Sequence, residues 1–87
     1  MERWKIIELL RNAERDIEEG EKLLATQRRA VEELERNGEA TSEAADLLRT
    51  FEESYTRHLA ERDRLRAALN LAPPTPDINQ MSEYAAP

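Results

Sequence analysis

Ile6, Leu10, Ala13, Ile17, Gly20, Leu24, Gln27, Val31 and Leu34 follow one another at alternating steps of four and three. A strand repeats its buried positions every two residues, whereas a helix at 3.6 residues per turn gathers a four-three series into one stripe. The series is a heptad seam, with Leu10, Ile17, Leu24 and Val31 at a and Ile6, Ala13, Gly20, Gln27 and Leu34 at d. A helix over about residues 3–36 follows, facing another helix. A second series, Ala44, Leu48, Phe51, Tyr55, His58, Arg62, Leu65 and Leu69, has the same steps and places a second helix at about 41–70.

The segment between them is short. Asn37-Gly38 closes the first helix, because glycine accepts the left-handed conformation that follows a helix C-terminus. Thr41 is the expected N-cap of the second helix, with Ser42 the alternative, and Glu43 and Asp46 place negative charge near the positive end of its dipole. A turn over 37–40 forces the two helices antiparallel. The fold class is therefore all-α, an antiparallel two-helix hairpin with coiled-coil-like packing. Facing residues are expected at numbers summing to about 78, which sets Leu34 against Ala44, Gln27 against Phe51, Leu24 against Tyr55, Gly20 against His58 and Ala13 against Leu65.

The apolar stripe is wider than one seam needs. Leu9, Leu23 and Ala30 occupy g positions of the first helix, and Leu47 (g) and Leu59 (e) widen the second. Such width implies more than one neighbour. The expected solution is a homodimer that closes into an antiparallel four-helix bundle, with another protein in place of the second copy as the alternative. Residues 71–87 carry all four prolines, which cannot continue a helix. They read as a flexible tail in which Ile78, Met81 and Tyr84, spaced by three, offer one short apolar face.

Several residues interrupt the seam. Gly20 lies mid-helix, where glycine costs about 1 kcal/mol relative to alanine, and it reads as a packing notch for Tyr55 or His58. Gln27 and Arg62 are polar seam residues of the kind that fix register, although Arg62 is long enough to keep its charge in water. His58 is the single histidine and reads first as a hydrogen-bonded seam residue. His58 and Glu61 share a helix face, but in the reverse of the Glu-x-x-His order used by di-metal bundles, and Arg57 and Arg62 crowd them. No metal site or cofactor is expected. A regulator that holds a cation or senses pH through His58 and nearby carboxylates is the first alternative function.

Composition narrows the classes further. Thirteen basic and nineteen acidic side chains give a net charge of −6, which argues against nucleic acid, whose phosphates demand clustered cations. A DNA-associated accessory role survives only through the local run Arg57, Arg62, Arg64 and Arg66. There is no cysteine, so a thiol nucleophile, a thiolate zinc site and a disulfide scaffold are excluded. No apolar run approaches the roughly 20 residues that cross a bilayer, and no secretory signal is expected. A chain of 87 residues offers little room for a deep enclosed pocket. The expectation is a non-enzymatic, cytoplasmic interaction or assembly module.

The segments Gly20-Glu21-Lys22, Gln27-Arg28, Leu34-Glu35-Arg36-Asn37-Gly38, Leu47-Leu48-Arg49-Thr50-Phe51-Glu52-Glu53 and His58-Leu59-Ala60-Glu61-Arg62-Asp63-Arg64-Leu65 carry a resemblance. Their arrangement resembles a group of small bacterial helical-hairpin proteins that has no assigned activity. The resemblance covers about residues 12–69. It implies the hairpin fold and transfers no catalytic or binding residue.

Overall fold

The computed structural model describes residues 1–72 and contains two helices, α1 (Arg3–Arg36) and α2 (Ser42–Leu71), packed against each other as an antiparallel hairpin. Ile78, Met81, Tyr84 and the remainder of 73–87 lie outside the described residues. Every position of the two heptad series is buried or half-buried. The repeat therefore marks the contact surface of both helices. Helix 1 rises about 50 Å at ~1.5 Å per residue, so the hairpin is a narrow rod.

The turn is built by α1 itself. Gly38 has φ of 68°, donates its N–H to the Glu35 carbonyl at 3.1 Å, and Glu39 donates to the Leu34 carbonyl at 2.9 Å. This pair of reverse bonds is the Schellman closure, with Asn37 as C-cap and Gly38 in the left-handed position. Thr41 occupies the N-cap position of α2, but its hydroxyl makes no capping bond, and its φ and ψ of −111° and −5° are not the extended values a side-chain cap uses. The carbonyl of Thr41 still opens the helix, accepting from Ala45 at 2.8 Å.

The pairing differs from the expected one by about three residues. Gly20 lies against Tyr55, not His58, and Asp16 is the residue of α1 beside His58. Physically, antiparallel helices interlock with a positions of one opposite d positions of the other. The expected sum of 78 set d against d. A sum near 75 sets Leu24 against Phe51, Gly20 against Tyr55 and Leu10 against Leu65, each an a–d layer.

Side-chain bonds to carbonyls clip the hairpin at both ends. Arg3 Nη1 donates to the Leu69 carbonyl at 3.2 Å, in the last turn of α2, where a cation also suits the negative end of the helix dipole. Gln27 Nε2 donates to the Ala44 carbonyl at 2.9 Å, in the first turn of α2. Gln27 is thus a register pin, and its polarity within the seam is satisfied. Near the open end Ile6, Ala13 and Leu65 form a buried cluster, supported by Leu9, Leu10, Ala68 and Leu69.

Nothing lies within 4 Å of a Cβ built on Gly38, so a side chain there meets no obstacle and its cost is conformational. Gly38→Ala is expected to destabilise the hairpin by about 1–2 kcal/mol, the penalty of a left-handed non-glycine residue. Gly38→Asn should cost less, since asparagine tolerates this conformation better. Equal thermal midpoints for Gly38→Ala and the parent chain would remove the turn from the account.

Candidate functional site

A two-helix seam leaves two flanks. On one, the g positions of both helices meet, and on the other the e positions. The two flanks of this rod differ in chemistry. The g flank carries Leu9, Leu23 and Ala30 from α1 and Leu47 and Ala68 from α2. Leu23 and Leu47 remain 48% and 44% exposed, although their neighbours on the seam are covered. Leu59, at an e position, lies on the opposite flank and does not extend this apolar face. The e flank is charged: Glu14 faces Arg66 at 3.8 Å, and Glu21, Arg28 and Glu52 line a groove there with Tyr55.

A polar row divides the apolar flank at mid-length. A hollow of about 130 Å³ between the helices is lined by Asp16, Leu23, Phe51, Ser54 and His58, among others. Ser54 Oγ and His58 Nε2 are 3.4 Å apart, and His58 Nδ1 is 4.0 Å from an Asp16 carboxylate oxygen. The order Ser, His, Asp is that of an acyl-transfer relay, but the distances are not. A working relay needs nucleophile and base within about 2.6–3.2 Å and the base held by its acid. Asp16 is 57% exposed, and both backbones here are helical, so their N–H groups are committed to helix bonds and present no oxyanion hole. The row acts as a polar break in an apolar surface. The sequence marks Asp16 only as one member of the acidic run Glu14, Asp16, Glu18, Glu19 and Glu21, and Ser54 not at all, because the expected register sets Gly20 level with His58.

Glu61 does not join His58. It pairs with Arg64 one turn along α2, and among the described residues no group of three or more metal-ligating side chains converges. Three of the four cations in the basic run of α2 have acidic partners: Arg62 bonds Asp63 at 3.1 Å, Arg64 pairs with Glu61, and Arg66 faces Glu14. Arg62 is only 26% exposed and lays its stem in the seam while its guanidinium reaches Asp63. Acids beside each of these cations oppose the field that duplex DNA requires.

Tyr55 fixes the middle of the rod. The ring packs so close to Gly20 that a Cβ there would stand 2.9 Å from Tyr55 Cδ1. Its hydroxyl crosses to the charged flank and donates to Glu21 at 3.0 Å. That bond, with desolvation and the Glu21 charge, holds the phenol above its ordinary value of 10.0, against the opposing pull of Arg62 and Arg28. Phe51 sits half-buried one turn nearer the loop, beside Leu23.

No helix of the described residues is long and apolar enough to cross a membrane. Comparison with protein-family models, curated proteins and solved structures finds no match.

The notch makes a specific expectation. Gly20→Ala gains about 1 kcal/mol of helix propensity and loses it again to the displaced Tyr55 ring. In a Tyr55→Ala background the ring is gone, and the same Gly20→Ala change should stabilise by about 1 kcal/mol. Denaturant unfolding of the four chains of this cycle measures the coupling. An identical effect of Gly20→Ala in both backgrounds would contradict the notch.

Proposed function

We propose that this chain is a non-enzymatic interaction module, a helical hairpin that completes its core against a second copy, closes into a four-helix bundle and serves as an assembly unit in the cytoplasm. One observation carries the reading. Among the described residues only Ile6, Ala13, Ile17, Leu24 and Leu65 are buried, and none of them is fully enclosed. Two layers of helix around one core are the ordinary minimum for a stable all-α domain, and a single hairpin covers each helix on one side alone. The half-exposed Leu23 and Leu47 lie on the side left open. A second chain laid there buries them and gives the seam residues beneath a second layer.

Light scattering on the full chain at micromolar concentration is expected to give twice the 10.1 kDa chain mass. Leu23→Glu removes about 1 kcal/mol of burial per copy, half of a full leucine, and adds a charge to the contact. Its dissociation constant should rise more than tenfold, with helicity falling as the dimer dissociates. A monodisperse single chain of full helicity in the parent protein would overturn the proposal.

A further inference from the structure

We infer that the two copies meet on the Leu23–Leu47 flank and run in opposite directions, each lying along the full length of the other. The inference rests on the proposed self-association and adds the face, the overlap and the orientation.

Extent comes first. A face about 50 Å long and two helix diameters, roughly 20 Å, wide offers on the order of 1,000 Å². A stable dimer buries about 800 Å² per partner. Only nearly complete overlap meets that requirement. Two copies sharing the same face with complete overlap can run in the same direction or in opposite directions, each related by a two-fold axis.

Charge separates the two. At the loop end of the flank, Glu33 and Glu43 stand on its two edges, with the uncharged Thr26, Ala30, Leu47 and Thr50 as their neighbours on the flank. Same-direction packing lays α1 of one copy on α2 of the other, so Glu33 meets Glu43 twice and four carboxylates gather at one end. It also brings Asp16 and Glu61 of both copies to one level, a second group of four. Like charges so placed repel, and more strongly as the contact excludes water. Same-direction packing gains one kind of opposite pair in return, Glu19 with Arg57.

Opposite-direction packing lays α1 on α1 and α2 on α2, with the two-fold axis at the Gly20–Tyr55 layer that marks mid-rod. Lys5, which lies 3.9 Å from Glu8 on its own helix, then stands at the level of Glu33 of the second copy, and Arg64, exposed and paired with Glu61 in one chain, comes within about 6 Å along the axis of the second copy's Glu43, close enough to be shared between the two carboxylates. Leu9 stands opposite Ala30, large against small. The Asp16–Glu61 layers of the two copies are staggered along the rod. Glu19 and Arg57 remain near their own equivalents, at edges where water and salt screen them. Both clusters of four carboxylates are dispersed, and the acidic loop end finds cations.

The absence of cysteine makes a clean test. Asn12→Cys, Thr26→Cys and Thr50→Cys each replace an exposed, uncharged residue on an edge of the flank with a thiol. The full-length variants are refolded in pairs, treated with a short bis-maleimide and run on a denaturing gel, with molar mass measured beside them. Opposite-direction packing sets residue 12 at the level of residue 26, so the Asn12→Cys and Thr26→Cys mixture should link. The Thr26→Cys and Thr50→Cys mixture should not. The reverse pattern in a dimer overturns the orientation and leaves the proposed self-association standing. A dimer that links in neither mixture overturns the face. A single-chain mass overturns both readings. Charge reversal supplies an independent measurement should a cysteine variant lose helicity: Lys5→Glu should weaken self-association several-fold, and mixing it with Glu33→Lys should restore it. Unchanged association of Lys5→Glu overturns the orientation.

Discussion

The contact between Gly20 and the ring of Tyr55 sets the geometry on which the rest of the hairpin depends. No other residue type leaves the ring its place, since a Cβ would stand 2.9 Å from it. The contact brings the two helices close at mid-length and fixes which residues share a level. From that level Asp16 falls beside His58, and the two ends close where Arg3 and Gln27 reach carbonyls of α2. Glycine costs helix stability wherever it stands mid-helix, so its position here is an exchange of local propensity for interhelical fit.

The same register sorts the flanks. With a positions opposite d positions, the g residues of both helices come to one side and the e residues to the other. One side is then apolar with a polar row at its middle, and the other is laced by Glu14–Arg66 and Tyr55–Glu21 contacts. The rod is thus charged along one flank and leaves Leu23 and Leu47 half-exposed on the other. Five buried side chains are a small core for two helices of 34 and 30 residues, and this imbalance is the physical ground for reading the chain as one part of an assembly.

Much of this was legible in the residues. The four-three steps contain both helices, and Asn37-Gly38 marks the turn because left-handed backbone favours glycine. The stripe beyond the seam was visible at Leu9, Leu23 and Leu47. Register was not, because loop length alone allows pairings that differ by one helical turn, and only the rule that a faces d selects among them. The shifted register conceals that Asp16 and Ser54 lie beside His58, while the notch at Gly20 holds for Tyr55, one of its two expected occupants. Arg3 lies one further step of three back from Ile6, so the same series extends to it. Leu59 shares the apolar character of Leu23 and Leu47, but the antiparallel geometry sends its e position to the other flank. Thr41 has the right residue type and position for a side-chain cap, but its backbone angles withhold it.

If a second copy completes the core, as proposed, association is part of folding. A protein that binds a partner only when folded gains stability by mass action, so its thermal midpoint depends on its own concentration. Melting followed by circular dichroism over a hundredfold range of chain concentration tests this directly. For a self-associating hairpin the midpoint is expected to rise steadily with concentration. A midpoint that stays constant over the whole range, with full helicity at the lowest concentration, would contradict it.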